Sequence, residues 1–170
     1  EGGWCYATYS PSRLKGARST LHESVCGRVM PMSVAAAPRP VHYNTWEAVY
    51  FNHDLETLRG LADVAAEVGI ERFVLDDGWF GSRRDDTSGL GDWWVSPEVY
   101  PDGLAPLIEH VTGLGMEFGI WVEPEMVNPD SDLYRAHPDW ALHVDGYEPL
   151  LGRNQLVLDL GRTEAFDYLL

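Results

Sequence analysis

From residue 41 onward the sequence repeats one unit: an apolar strand-like run, a loop, and then a helix-periodic stretch. Val41-His42-Tyr43-Asn44-Thr45-Trp46 is β-branched and aromatic. Asn52-His53-Asp54 then offers a helix cap, and Leu55, Leu58, Leu61, Ala62, Ala65 and Val68 recur at three and four until Gly69 stops them. Arg72-Phe73-Val74-Leu75-Asp76 is a near-continuous apolar run of the sort expected of a parallel strand covered on both faces. After a long loop, Gly78 to Asp102, a helix is predicted from about Gly103 to Leu114, with Leu104, Leu107, Ile108 and Val111 inward and Gly115 as its stop. A third strand follows over Glu117 to Val122. Pro129-Asp130-Ser131 opens a short helix, Leu156 to Leu160 reads as one more strand, and Thr163 begins a last helix. Repeated βα units give either an open doubly wound sheet or a (β/α)8 barrel.

The polar residues choose between these. Each clear strand ends in aromatic and acidic groups: Trp46-Glu47, Asp76-Asp77-Gly78-Trp79, and Trp121-Val122-Glu123-Pro124-Glu125. A barrel builds its catalytic face from such strand ends, whereas a dinucleotide-binding sheet wants G-x-G-x-x-G after its first strand, and Gly89-Leu90-Gly91 lies in a loop without it. A full barrel takes about 250 residues. The chain has 170, so residues 41–170 are expected to form part of a TIM-type (β/α)8 barrel, in an α/β fold class. Residues 1–40 differ in texture. Trp4 to Tyr9 and Ser24 to Met30 read as short strands, and Pro38-Arg39-Pro40 reads as a stiff linker.

Charge narrows the partners. Twelve basic residues against 27 acidic ones give a net charge of −15, and Lys15 is the only lysine. Such a surface repels nucleic-acid phosphates and anionic lipid. No apolar run is long enough to span a bilayer, and no basic stretch precedes an apolar one as a secretory signal requires, so a cytoplasmic location is the expectation. Glu1-Gly2-Gly3 is not an initiating start, which suggests a piece of a longer chain. Cys5 and Cys26 match no C-x-x-C pattern and could pair or stay reduced.

Asp76 and Asp77 are the main chemical feature. Neighbours on a strand point to opposite faces, so both serve one cleft only if the strand stops there and the second turns in from the loop, which Gly78 permits. Carboxylates accept hydrogen bonds, so a pair suits adjacent sugar hydroxyls or a divalent metal; an Asx turn or helix cap is the structural alternative. Glu123 and Glu125 could be acid/base groups, fellow metal ligands, or partners of Arg83, Arg84 or Arg153. Arg153 offers a rigid fork to hydroxyl or carboxylate acceptors, or a surface salt bridge. Trp46, Trp79 and Trp121 could stack on pyranose rings or simply pack. Asp85-Asp86 and Asp92-Trp93-Trp94 are expected in a solvated lid.

Six segments occur together in order: Asn44-Thr45-Trp46-Glu47-Ala48, Leu75-Asp76-Asp77-Gly78-Trp79-Phe80-Gly81, Gly91-Asp92-Trp93, Trp121 to Val127, His137-Pro138-Asp139-Trp140, and Gly152-Arg153-Asn154-Gln155 running on to Leu160. This set resembles the retaining alpha-galactosidases of glycoside hydrolase family 36. The resemblance implies that residues 1–40 are the β-rich tail and linker of a preceding β-sandwich domain. It implies that Asp76 and Asp77 hydrogen-bond the axial O4 and the O6 of a terminal galactose, that Trp121 and Arg153 line the same subsite, and that Trp46 is a rim aromatic. It implies an alpha-galactoside of the melibiose or raffinose type as the small-molecule substrate, no cofactor, no nucleic-acid or membrane partner, and a full-length protein that could be a homo-oligomer.

The family's nucleophile lies in a Lys-Trp-Asp stretch and its acid/base near a later Gly-rich segment. Neither occurs here, so no catalytic residue is assigned to this chain and the isolated piece is expected to be inactive. Within the family, a raffinose-synthase-like galactosyl transferase or an alpha-N-acetylgalactosaminidase is also compatible. Outside it stands a metal-dependent barrel lyase or isomerase using Asp76, Asp77 and Glu123, or a non-catalytic sugar-binding piece.

Overall fold

A computed structural model of the chain describes residues 7–170 and divides it into two compact units, Glu1–Arg39 and Pro40–Leu170. In the first, α1 (Arg13–Ser24) continues into a π-helical turn, Val25–Val29, and is followed by α2 (Met32–Ala36). The strand expected over Ser24 to Met30 is therefore helical, and no strand occurs among the described residues of this unit. Of the other expected strand, Trp4 to Tyr9, only Ala7 to Tyr9 are described, without regular structure; the rest, with Cys5, lies outside the described residues. The reason is local. Leu14, Ala17, Leu21 and Val25 fall at helical spacing, and a helix satisfies its own N–H and C=O groups where a strand needs a neighbour. None of these helices buries a residue, and among the described residues of 1–40 helices stand where the β-rich tail was expected.

The second unit begins with β1 (His42–Asn44), α3 (Trp46–Val49), α4 (Leu55–Glu67), β2 (Arg72–Leu75), α5 (Ala105–Gly113) and β3 (Glu117–Ile120). The three strands form one parallel sheet in the order β1-β2-β3, with Tyr43 opposite Phe73 and Phe73 opposite Phe118. Asp54 caps α4 by accepting from the Thr57 N–H at 2.8 Å. Both long helices end in the same way. Gly69 (φ 85°) and Gly115 (φ 84°) take the left-handed conformation, and the residues after them, Ile70 and Met116, bond back to the Ala65 and Val111 carbonyls.

Phe73 and Leu75 of β2 are fully buried against Leu58, Ala62, Leu107 and Val111, while Arg72 and Val74 are only half-buried. Burial on both faces of β2 was expected; it alternates because, among the described residues of this unit, α4 and α5 cover the face that carries Phe73 and Leu75 and no helix covers the other. On that open face Gly119 leaves room for Val74, whose Cγ2 would stand 3.1 Å from a Cβ at 119.

The chain then adds β4 (Met126–Val127), α6 (Asp132–Ala136), a 3-10 turn at Pro138–Trp140, β5 (Leu156–Val157) and α7 (Thr163–Tyr168). The strand expected over Leu156 to Leu160 is shorter and does not extend the parallel sheet: β5 pairs antiparallel with β4 in a separate ribbon. Val127, Leu133, Trp140, Leu156, Leu158 and Ala165 form a second small core there. Among the described residues no helix is long and apolar enough to cross a membrane.

Candidate functional site

The site lies where the three parallel strands end. Their hydrogen-bond ladder runs one residue past the sheet, with Thr45 N–H on the Val74 carbonyl (3.1 Å) and Trp121 N–H on the Leu75 carbonyl (2.8 Å). Thr45 is fully buried, and its hydroxyl accepts from the Asp76 N–H at 3.0 Å. The strand stops at Leu75, Asp76 points into the site, and Gly78 at φ 110° turns the chain so that Asp77 joins it. A Cβ at position 78 would sit 3.3 Å from the Phe51 backbone and from His53 Nε2, so the turn has no room for another residue.

The two carboxylates are buried and held differently. Asp76 accepts from the Asn44 side-chain amide and, at 2.7 Å, from the Asp77 N–H. Asp77 receives the fork of Arg83, with Nε at 3.0 and 3.1 Å from its two oxygens and Nη2 at 2.8 Å from Oδ2. Arg83 is itself fully buried. A carboxylate offers about four lone-pair sites, so each retains acceptor capacity after these contacts. The Arg83 charge offsets one of two adjacent negative charges that would otherwise repel each other in a low-dielectric setting.

Arg83 also reaches across the site. Its Nη1 donates to the Ser88 carbonyl (3.0 Å) and to Asn128 Oδ1 (3.2 Å), and Asn128 Nδ2 donates to the Asn154 carbonyl (2.8 Å). Asn154 and Arg153 are the central residues of a tight turn closed by Gly152 and Gln155, which exchange backbone hydrogen bonds at 3.0 and 3.2 Å. Both have positive φ, 53° for Arg153 and 61° for Asn154, the pattern of a type I′ hairpin.

A cavity of about 420 Å³ opens between these parts, lined by Asp76, Asp77, Trp46, Trp121 and Arg153, with Asn44 and Glu47. The five residues singled out from the sequence thus share one wall-and-floor arrangement. Asn44 and Glu47 were not assigned to the site; Asn44 at the last position of β1 and Glu47 directly after Trp46 were the available clues. A larger hollow of about 660 Å³ lies among residues 142–150, with Leu142, Val144, Tyr147 and Leu150 in its walls and no comparable convergence of acceptors.

Aromatic packing fixes the walls. Trp46 meets Tyr50 and Phe51 edge-on at 5.0 and 5.1 Å, and its N–H donates to Asn44 Oδ1 at 2.8 Å. Trp121 lies nearly parallel to Phe80, 6.4 Å away, and its carbonyl accepts from Trp79 Nε1 at 2.9 Å. Trp79 is therefore core rather than cavity wall. Behind the Asp77-Gly78 turn, burial pulls His53 down to about 4, and its Nδ1 pairs with the Tyr100 hydroxyl at 2.7 Å.

Other expectations are corrected. Asp92 is not in a solvated lid: it is buried, and its oxygens accept from the Asp132 and Leu133 N–H groups, each at 3.0 Å, capping α6. Burial raises its carboxyl above the usual range. Asp85, Asp86 and Trp94 are exposed as expected. Arg83 pairs with Asp77 rather than with Glu123 or Glu125, and Glu123 accepts from Gln155 Nε2 at 3.1 Å. Among the described residues no three His, Cys, Asp or Glu side chains stand together as a metal cluster, so the set of Asp76, Asp77 and Glu123 needed by the metal-dependent alternative is not assembled.

A family model described as Melibiase matches residues 1–170, the whole chain. The chain belongs to the Melibiase family. Among its relatives, the chain is 51% identical over 166 residues to an alpha-galactosidase of Escherichia coli, matching 98% of this chain and 23% of that protein. It is 49% identical over 162 residues to alpha-galactosidase AgaA of Geobacillus stearothermophilus, matching 95% of this chain and 22% of AgaA. The crystal structure of that GH36 enzyme superposes with a TM-score of 0.83 over 92% of this chain and 22% of its own. Variants of AgaA have been solved in complex with raffinose and with stachyose. The chain spans somewhat under a quarter of the length of these curated relatives.

Proposed function

We propose that the full-length protein containing this chain is a retaining glycosidase that releases terminal alpha-D-galactose from alpha-galactosides, and that residues 41–170 form the first βα units of its (β/α)8 barrel. The carrying observation is that Asp76 and Asp77, buried side by side past the end of β2, face one cavity with Trp46, Trp121 and Arg153. The O4 and O6 hydroxyl groups, on the same side of the sugar, donate to the lone pairs that Asn44 and Arg83 leave unfilled. Arg153 donates to a sugar oxygen, and the indoles give flat apolar walls for the C–H face of the ring. The relatives' names and the raffinose and stachyose complexes of AgaA support this substrate class.

Asp76 and Asp77 recognise rather than react. Retention needs two carboxyls about 5–5.5 Å apart on either side of the scissile bond, one attacking the anomeric carbon and the other protonating the leaving oxygen and then activating water. Adjacent residues committed to Asn44 and Arg83 cannot take those places; the resemblance puts the two reacting carboxyls in the Lys-Trp-Asp and Gly-rich segments, which do not occur in this chain. No cofactor enters this chemistry.

The test is hydrolysis of p-nitrophenyl alpha-D-galactopyranoside by the full-length protein. Asp76→Ala is expected to lower kcat/KM about 100-fold, the loss of one or two hydrogen bonds to a charged acceptor at roughly 1.5–3 kcal/mol each. An inactive wild type, or an Asp76→Ala protein of undiminished activity, would overturn the reading.

A further inference from the structure

Resting on the galactoside reading above, we propose that Arg83 and Asn128 are positioning residues that hold the two halves of the recognition site, the Asp77 carboxylate and the Arg153 turn, in one fixed register. Neither lines the cavity, and both are fully buried. Every nitrogen of the Arg83 guanidinium is engaged: Nε and Nη2 on Asp77, Nη1 on Ser88 and Asn128. Its plane is thereby set, and a planar fork in turn sets the plane of the carboxylate it binds. The unfilled lone pairs of Asp77 point where that plane sends them.

Asn128 extends the same constraint to the other half. Its Oδ1 accepts from Arg83 Nη1 and, at 2.8 Å, from the Leu90 N–H, and its Nδ2 donates to the Asn154 carbonyl. The turn that carries Arg153 is exposed and left-handed at both central residues, so little of its own packing holds it. The Asn128 bond ties it to the guanidinium that orients Asp77. A hydroxyl acceptor and a hydroxyl donor on segments 76 residues apart, Asp77 and Arg153, are thus spaced by one chain of hydrogen bonds that starts in the core and ends on the turn.

The consequence is kinetic. Contacts to sugar hydroxyls remote from the breaking bond persist in ground state and transition state alike, so blurring their geometry raises KM and spares kcat, whereas loss of folded protein lowers apparent kcat and leaves KM alone. In the full-length protein with p-nitrophenyl alpha-D-galactopyranoside, Arg83→Lys keeps the charge but loses the fork and is expected to raise KM about tenfold with kcat within about threefold. Asn128→Ala leaves the Arg83–Asp77 pair in place and is expected to raise KM about threefold. The inhibition constant of free galactose should rise in parallel in both. KM and galactose inhibition within about twofold of wild type in both variants, beside an active wild type, would overturn the positioning role alone. A wild type that neither hydrolyses the galactoside nor binds galactose would overturn the galactoside reading and this proposal with it. If Arg83→Lys does not fold, Asn128→Ala decides by the same two readouts.

Discussion

The end of β2 and the turn at Gly152–Gln155 face the same cavity but are held by opposite means. Asp76 and Asp77 sit on a continued parallel ladder, buried, with the Thr45 hydroxyl, the Asn44 amide and the Arg83 fork fixing backbone and side chains. Arg153 is exposed on a two-residue turn in which neither central residue is glycine, although both occupy the left-handed region that favours it. The site thus pairs an overdetermined acceptor half with a lightly held donor half. On the galactoside reading proposed above, the rigid acceptors set selectivity, and the donor half takes its register from them through Arg83 and Asn128.

Removing the counter-charge breaks that comparison most directly. Arg83→Met leaves Asp77 buried without its partner and is expected to cost about 3–5 kcal/mol, the usual result of stripping one member from a buried ion pair. Thermal unfolding of the full-length variant should show it as a large drop in melting temperature. Arg153 shields no such charge, and its replacement should cause no comparable drop.

Acid sharpens the comparison on the β2 side. Burial holds His53 at about 4 in the fold against 6.5 for the free side chain, so the unfolded chain binds the extra proton first. The stabilisation that neutral His53 confers is complete above pH 6.5 and is lost as pH falls through the window from 6.5 to 4. Between those limits the wild type should lose more stability than His53→Gln, by at most about 3 kcal/mol. Equal pH slopes in denaturant titrations of the two would refute the buried-histidine account.

The smallest effect belongs to the turn. Arg153→Gly removes a side chain from a left-handed position and is expected to raise stability by a few tenths to about 1 kcal/mol while weakening galactose binding. Opposite signs in melting and in galactose titration would mark a residue retained for contact rather than for folding.

Much of this was legible in the sequence. The parallel strands announced themselves as apolar runs, the helices α4 and α5 by spacing and by Gly69 and Gly115, and the lining of the candidate cavity by acids and indoles at strand ends. What escaped reading depends on distant partners. Asp92 looks like a polar loop residue until the N-terminus of α6, 40 positions on, is laid against it. Arg83 is one of two adjacent arginines, and only the fold shows which of them Asp77 takes. Strands β4 and β5 have two residues each, too few for an alternating pattern. The helix at Arg13–Ser24 was obscured by the Pro11, Gly16 and basic residues around a thin apolar stripe.

Asp92 also orders events during synthesis. At a ribosomal pace of roughly 5–20 residues per second, the N–H groups of Asp132 and Leu133 emerge about 2–8 s after the carboxylate that will receive them. Until then the segment between β2 and α5 lacks this far anchor.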